Sequence, residues 1–246
     1  MQNDKDYWEK QFSNCIERKM KLAQAKFFYN VFKKIFPESL RNELNKNEYI
    51  CCDFGCGLGN FTNNLYEMFP KFEICGVDYS KNAISYAQKH FPKVHFLNLE
   101  LNNLKNKYDV VVTSNTLEHF SNPDEIMKEL LTHTKKFFMI LVPYEEYERY
   151  QEHLFTFERS FFKDSFENFE LIFLKSIDLS SVFNTMWLGK QVLAVYKSKD
   201  VLIDFKKDVT DSSDDKLNFI RRLNYRINLF RRDTYRCLRK FLAKVM

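Results

Sequence analysis

The sequence predicts an α/β fold: a mainly parallel, seven-stranded sheet with helices on both faces, closed by a C-terminal antiparallel hairpin. Three observations lead there. From residue 48 onward, short apolar runs alternate with helical stretches, the pattern of strands buried on both sides. A glycine-rich turn, Gly55–Gly59, stands where the first of these runs gives way to a helix. The last two apolar runs, Phe169–Lys175 and Gln191–Lys197, have no long helix between them, which leaves a hairpin as their connection.

Residues 1–47 precede the sheet as a helical segment. Phe12, Ile16, Met20, Ala23, Phe27, Val31 and Ile35 recur every three or four positions, an amphipathic helix that Pro37 ends. Residues 38–46 add a short turn of helix. The domain proper, residues 48–203, opens with a strand at Tyr49–Phe54, followed by a helix at Asn60–Phe69 with Pro70 beyond its end. A strand at Glu73–Val77, a helix at Lys81–His90 and a short strand at Val94–Leu97 come next. Tyr108–Thr113 and Phe137–Val142 are apolar strands, separated by a helix at Pro123–Thr134 that carries Pro in its first turn. Residues 204–215 are polar and read as a linker to a basic amphipathic helix at 216–246.

That last segment holds ten Lys or Arg and one acidic residue, Asp233, a net of +9. Subtracting it from the whole-chain +5 leaves the first 215 residues at −4. An acidic body disfavours an extended nucleic-acid surface, which needs clustered Lys and Arg, so no nucleic-acid partner is expected. The basic segment suits contact with an anionic membrane surface, or packing on the body or a second subunit. No run of about 20 apolar residues crosses a membrane and the start, rich in charge, lacks a secretion signal, so the expected location is cytoplasmic, with the inner face of the membrane within reach. Cys51, Cys52 and Cys56 cluster in sequence, but Cys51 and Cys52 are neighbours in a strand and point to opposite faces. No further Cys pair or His follows at finger spacing, and no metal site is expected.

The chemical signal is the run Asp53-Phe54-Gly55-Cys56-Gly57-Leu58-Gly59, where glycines permit a tight turn and close approach of a ligand to backbone amides. A phosphate-binding P-loop requires Lys followed by Ser or Thr, and Asn60-Phe61 stand there instead. A dinucleotide fingerprint starting at Gly57 needs a third glycine at position 62, which is Thr62. Asp78 ends the second strand, where a carboxylate can accept hydrogen bonds from both hydroxyls of a ribose. Ser80 beside it can simply cap the next helix.

The segments Asp53–Gly59, Gly76–Ser80, His95–Leu104 and Tyr108–Phe120, in this order and at strand ends, resemble the class I S-adenosylmethionine-dependent methyltransferases, whose domain is Rossmann-like. The likeness is close over residues 48–143 and loose over 144–197. It implies S-adenosyl-L-methionine as cofactor and a cofactor site built from Asp53, Gly55, Cys56, Gly57, Gly59, Asp78, Tyr79, Glu100, Leu101 and Asn115. In such enzymes Asp53 and Gly55 would lie by the methionine part, Gly57 and Gly59 would shape the turn, Asp78 would bind the ribose, and Glu100 would lie near the adenine amino group. Asp is the more usual residue where Glu100 stands. Asn115–His119 would lie beside the reacting methyl.

Of the five histidines, His119 and His153 follow sheet strands on the side where ligands bind in this architecture, and both are candidate catalytic residues. His153 reads as a general base or acceptor ligand, or else as a loop anchor to the carboxylate of Glu118 or to a backbone carbonyl. His90, His95 and His133 read as structural. The polar, aromatic stretch Pro143–Glu152 is too hydrophilic for core and, together with the N-terminal helix, reads as a lid over the acceptor. The resulting expectation is methyl transfer to a small or glycan-like acceptor, a hydroxyl of a bacterial surface-polysaccharide or lipid-linked sugar precursor. A quinone or lipid-ring methyltransferase and a cofactor-binding scaffold without catalysis are the competing readings.

Overall fold

The computed structural model describes residues 4–146, 149–180, 182, 185–210, 223, 226–228, 230, 231 and 234. The sheet contains the seven expected strands and two short additions. They are β1 (Ile50–Phe54), β2 (Glu73–Asp78), β3 (His95–Asn98), β4 (Tyr108–Ser114), β5 (Thr134–Tyr144), β6 (Ser165–Phe166), β7 (Phe169–Asp178), β8 (Lys190–Ser198) and β9 (Asp208–Thr210). Their order is β3-β2-β1-β4-β5-β8-β7, with β6 and β9 both pairing with β7. Strands β1 to β5 pair in parallel, and β8 runs antiparallel between β5 and β7. The predicted hairpin is therefore present, and its return strand inserts into the sheet instead of extending the edge. Residues 208–210, expected in a linker, form β9 instead, because Val209 packs with the core beneath β7 and the pairing satisfies an otherwise open edge.

Strand alternation divides the core as the adjacent cysteines require. Cys51 packs on one face with Phe61, Leu65, Val110 and Phe137, and Cys52 on the other with Val111, Met127, Leu130 and Phe138. The first face is covered by α2 (Cys15–Ile35), α3 (Glu38–Leu44) and α4 (Asn60–Met68), the second by α6 (Pro123–Thr132). Phe32 of α2 is fully buried, with its ring 5.4 Å from that of Phe61. Truncating such a side chain costs about 3–5 kcal/mol, so α2 is an integral layer of the domain. Helix α5 (Lys81–His90) lays Ile84 and Ala87 against Phe96 of β3.

The N-terminal segment departs from the expected single helix. It breaks into α1 (Lys5–Ser13) and α2 at Asn14, whose side chain accepts from Ile16 N and Glu17 N at 2.9 and 3.2 Å. Asparagine offers the backbone these partners only outside helical geometry, so it restarts the helix in a new direction. Phe12 consequently lies buried while Ile16, four residues on, is 56% exposed. Among the described residues no helix is long and apolar enough to cross a membrane. The basic helix expected at 216–246 lies outside the described residues, apart from the seven named above, which are helical. Of these, Asn228 is buried and donates to Ser180 O and Val182 O at 3.2 and 2.7 Å.

Candidate active site

The strand order reverses between β1 and β4, and a cavity of about 580 Å³ opens at their C-terminal ends. Gly55, Gly57 and Gly59 all take positive φ, at 76°, 52° and 82°. At Gly55 a Cβ would stand 2.3 Å from Thr116 Cγ2, so the turn and the loop after β4 close only around a glycine. Asp78 receives Gly57 N at 2.9 Å on one oxygen and Ser80 N at 2.8 Å on the other, which ties the glycine turn to the end of β2. Each oxygen keeps a further lone pair, enough for the two hydroxyls of a ribose. Asp53 is 1% exposed and accepts from Thr62 Oγ1 at 2.6 Å. Burial raises Asp53 to about 7 and Asp78 to about 6. A positive-φ glycine cradle with a ribose-competent carboxylate at its side fits S-adenosylmethionine.

Eleven of the twelve residues expected in the site line this one cavity: Asp53, Gly55, Cys56, Gly57, Asp78, Tyr79, Glu100, Leu101, Asn115, His119 and His153. Gly59 does not. It caps α4, and a Cβ there would meet Ala87 and Phe96 at 2.8 Å, so it allows α5 and β3 to pack behind the turn. The Cys56 thiol packs with Ile84, Ala87 and Phe96. Asn115 holds a φ of 50°, and its side-chain oxygen accepts from Gln191 Nε2 of β8 at 3.0 Å.

The N-terminal helical segment, expected as part of the lid, lines this cavity through α1, although its individual contact residues carried no mark in the sequence. Trp8 and Phe12 line the cavity and pack with Leu58 and Ala83. Glu9 reaches the N-terminus of α5 and accepts from Ser80 Oγ, Lys81 N and Asn82 N at 3.0, 2.6 and 3.1 Å. Burial alone would raise Glu9, but these hydrogen bonds outweigh it and leave the group lowered. Lys5 pairs with Glu100 at 2.7 Å, and Tyr7 donates to Glu152 at 2.9 Å.

Beyond the glycine cradle the cavity ends in a polar corner. The chain leaves β5 at Tyr144, loops outward and returns at Phe157, whose carbonyl accepts Glu145 N at 2.8 Å. Within that loop Leu154 N and Phe155 N donate to Glu118 O at 2.8 and 3.2 Å, which clamps it to the turn after β4. His119 and His153 thus meet, ring centres 5.3 Å apart. His119 Nδ1 lies 2.9 Å from Glu152 O, and His153 Nδ1 lies 2.8 Å from Glu146 Oε1. Trp187 stacks on His153 at 5.5 Å. Burial pushes His119 down to about 3 and Glu118 up to about 7. For His153 burial also lowers, but the Glu146 hydrogen bond and the charges of Glu118, Glu146 and Glu152 outweigh it and raise the group.

A family model described as a methyltransferase domain matches residues 45–176, more than half of the chain. Malonyl-[acyl-carrier protein] O-methyltransferase of Bacillus cereus is 29% identical over 112 residues, covering 44% of this chain and 42% of that protein. Trans-aconitate 2-methyltransferase of Acidovorax sp. is 39% identical over 49 residues, 20% of this chain and 19% of its own length. The chain spans about half the length of the malonyl relatives it matches. Among solved structures, magnesium protoporphyrin IX methyltransferase of Synechocystis with bound S-adenosylhomocysteine superposes with a TM-score of 0.56 at 15% identity, covering 75% of this chain and 88% of that one. The plantazolicin methyltransferase, also with S-adenosylhomocysteine, gives 0.54 at 16% identity, over 78% and 94%. These likenesses show the Rossmann-like methyltransferase fold.

Proposed function

Because the chain belongs to the methyltransferase-domain family, we propose that it transfers a methyl group from S-adenosylmethionine to a hydroxyl of a small, polyhydroxylated acceptor. The observation that carries this reading is the continuity of one cavity from the glycine cradle to the corner of Glu118, His119 and His153. S-adenosylmethionine, when bound, supplies an electrophilic methyl on a sulfonium. The protein's part is to align the acceptor oxygen with that methyl and to keep water out. Gly55 and Gly57 let backbone approach the cofactor, and Asp78 orients its ribose. Trp8 and Phe12 close the cavity from above. The histidine corner receives the acceptor hydroxyl and favours loss of its proton.

Charge favours a neutral acceptor. Glu118, Glu146 and Glu152 all act on His153, and an anionic substrate would face their repulsion. Tyr150 and Trp187, ring centres 5.5 Å apart, offer apolar faces beside these acceptors, the combination that suits a sugar ring. A lipid-linked sugar of a surface polysaccharide has this chemistry, and the basic segment 216–246 would draw the protein to the anionic surface where such a precursor resides.

The test pairs methyl-labelled S-adenosylmethionine with fractionated glycolipids and polar metabolites. Label is expected in a neutral hydroxylated fraction, and label confined to carboxylic acids would overturn the reading. In the same assay His153→Ala should slow transfer by roughly 10²–10⁴-fold while cofactor affinity stays near wild type.

A further inference from the structure

We propose that Glu118, His119 and His153 bind a divalent metal ion at the acceptor end of the cavity. Each offers one ligand atom, and these atoms all lie within 4.8 Å of one another. Bonds of about 2.0–2.2 Å to a common ion require ligand atoms roughly 3–3.5 Å apart, so a shift of about an ångström closes the set. The proposal rests on the functional reading above for its chemical role, not for the binding itself.

Hydrogen bonding prepares both imidazoles for this task. A carbonyl oxygen can only accept, so His119 must donate from Nδ1 to Glu152 O, and its Nε2 carries the lone pair. His153 Nδ1 faces the Glu146 carboxylate in the same way, which leaves its Nε2 as ligand atom. An imidazole whose far nitrogen is held by a carbonyl or carboxylate is the usual second layer of a metal centre, where it fixes tautomer and ring direction. Independently, Glu118 is 1% exposed and its Oε2 has no hydrogen-bond partner among the described residues. A buried carboxylate oxygen without a donor costs stability unless a cation or ligand group satisfies it. The backbone of the His153 loop is bonded to Glu118 O, so the closing shift falls to side-chain rotation and not to the backbone.

Two imidazoles and one carboxylate leave coordination positions open, as catalytic rather than structural centres do. An acceptor hydroxyl bound there loses its proton to solvent near neutral pH. Its oxygen lone pair then forms the bond to the methyl carbon as the carbon–sulfur bond breaks, and that electron pair returns to sulfur as a neutral thioether. One proton is released per transfer.

The experiment uses the full, tag-free chain stripped with a chelator, titrated with Co²⁺ by absorption spectroscopy and with Zn²⁺ by calorimetry. Binding of one ion per chain is expected, with a visible ligand-field band, and each of Glu118→Gln and His153→Ala should weaken it at least tenfold. Glu146→Gln, which removes only the orienting carboxylate, should weaken it about 10–100-fold. S-adenosylhomocysteine titrated into the same samples reads the cofactor site separately: intact cofactor binding in the variants shows that they are folded. Absence of saturable Co²⁺ and Zn²⁺ binding in wild type, or binding that Glu118→Gln and His153→Ala leave unchanged, would overturn the proposal. Loss of cofactor binding in wild type would instead count against the methyl-transfer reading and leave the metal result standing.

Discussion

Asp53 and Asp78 stand at the ends of adjacent strands, Asp53 inside β1 and Asp78 closing β2, and burial raises both. The rise has a definite sign for stability. Asp53 titrates near 7 when folded against about 3.9 when unfolded, so between those values the native state holds more protons and stability falls as pH rises through that window. A sulfonium-bearing amino acid placed beside Asp53 favours its ionised form, so cofactor affinity should rise through pH 7 and level off above. At pH 7 binding should release about half a proton, and at pH 9 none, as calorimetry in buffers of different ionisation heat would show. Asp53→Asn should abolish the release; release that survives this substitution would remove Asp53 from the cofactor's amino end. Asp78→Ala should weaken S-adenosylhomocysteine by about 1.5–3 kcal/mol, the worth of a charged hydrogen bond. Unchanged affinity in a folded variant would deny Asp78 the ribose.

Among the elements, α1 has the most to do with access. It is a nine-residue helix, short enough to be marginal by itself, and it is held by side-chain hydrogen bonds along its first half. Glu9 on the N-terminus of α5 is the central tie, Lys5–Glu100 and Tyr7–Glu152 the outer ones. Glu9→Ala should lower the melting temperature by about 2–4 °C, the equivalent of about 1 kcal/mol in a chain of this length. The same substitution should speed release of S-adenosylhomocysteine in stopped-flow fluorescence, because Trp8 and Phe12 then cover the cavity less of the time. A release rate equal to wild type would show that α1 is a fixed wall. The glycine turn, by contrast, was legible from sequence because its demands are local: positive φ at Gly55, Gly57 and Gly59 can be met cheaply only by residues without a side chain. No local demand marked Trp8 or Glu9, whose partners Leu58, Ser80 and Ala83 belong to elements far along the chain.

For the molecule as a whole, the two ends of the chain test how much lies outside the core domain. β9 covers part of the outer edge of β7, and Asn228 bonds Ser180 and Val182 in the connection from β7 to β8. A chain ending at Ile203 should therefore melt lower than one ending at Asp215, which keeps β9, as differential scanning calorimetry would show. Comparing the full chain with that ending at Asp215 on neutral and anionic vesicles tests the membrane role of residues 216–246. Co-sedimentation of the full chain on anionic vesicles, lost at high salt and on truncation, is the expected outcome. Equal recovery of both chains would exclude that role.

The sequence by itself determined the order and type of the sheet elements, the position of the glycine turn, and the placement of Asp53, Asp78, His119 and His153 at the ligand-binding ends of strands. Those properties follow from periodicity, turn chemistry and the topology of alternating strands and helices, all of which are written locally in the chain. Tertiary structure alone decided that α1 docks across the cavity, that β8 inserts between β5 and β7, and that Glu146 is the carboxylate paired with His153 Nδ1 while Glu118 holds the loop through its carbonyl. Each depends on distant surfaces. The His153 loop meets Glu118 because β4 and β5 are paired in a register that sets Ser114 beside Leu141, and α1 docks because α5 presents unsatisfied amides to Glu9. A local pattern can state that a residue stands at a strand end, but which side chains share a pocket is settled by pairing register and by the burial that packing makes possible.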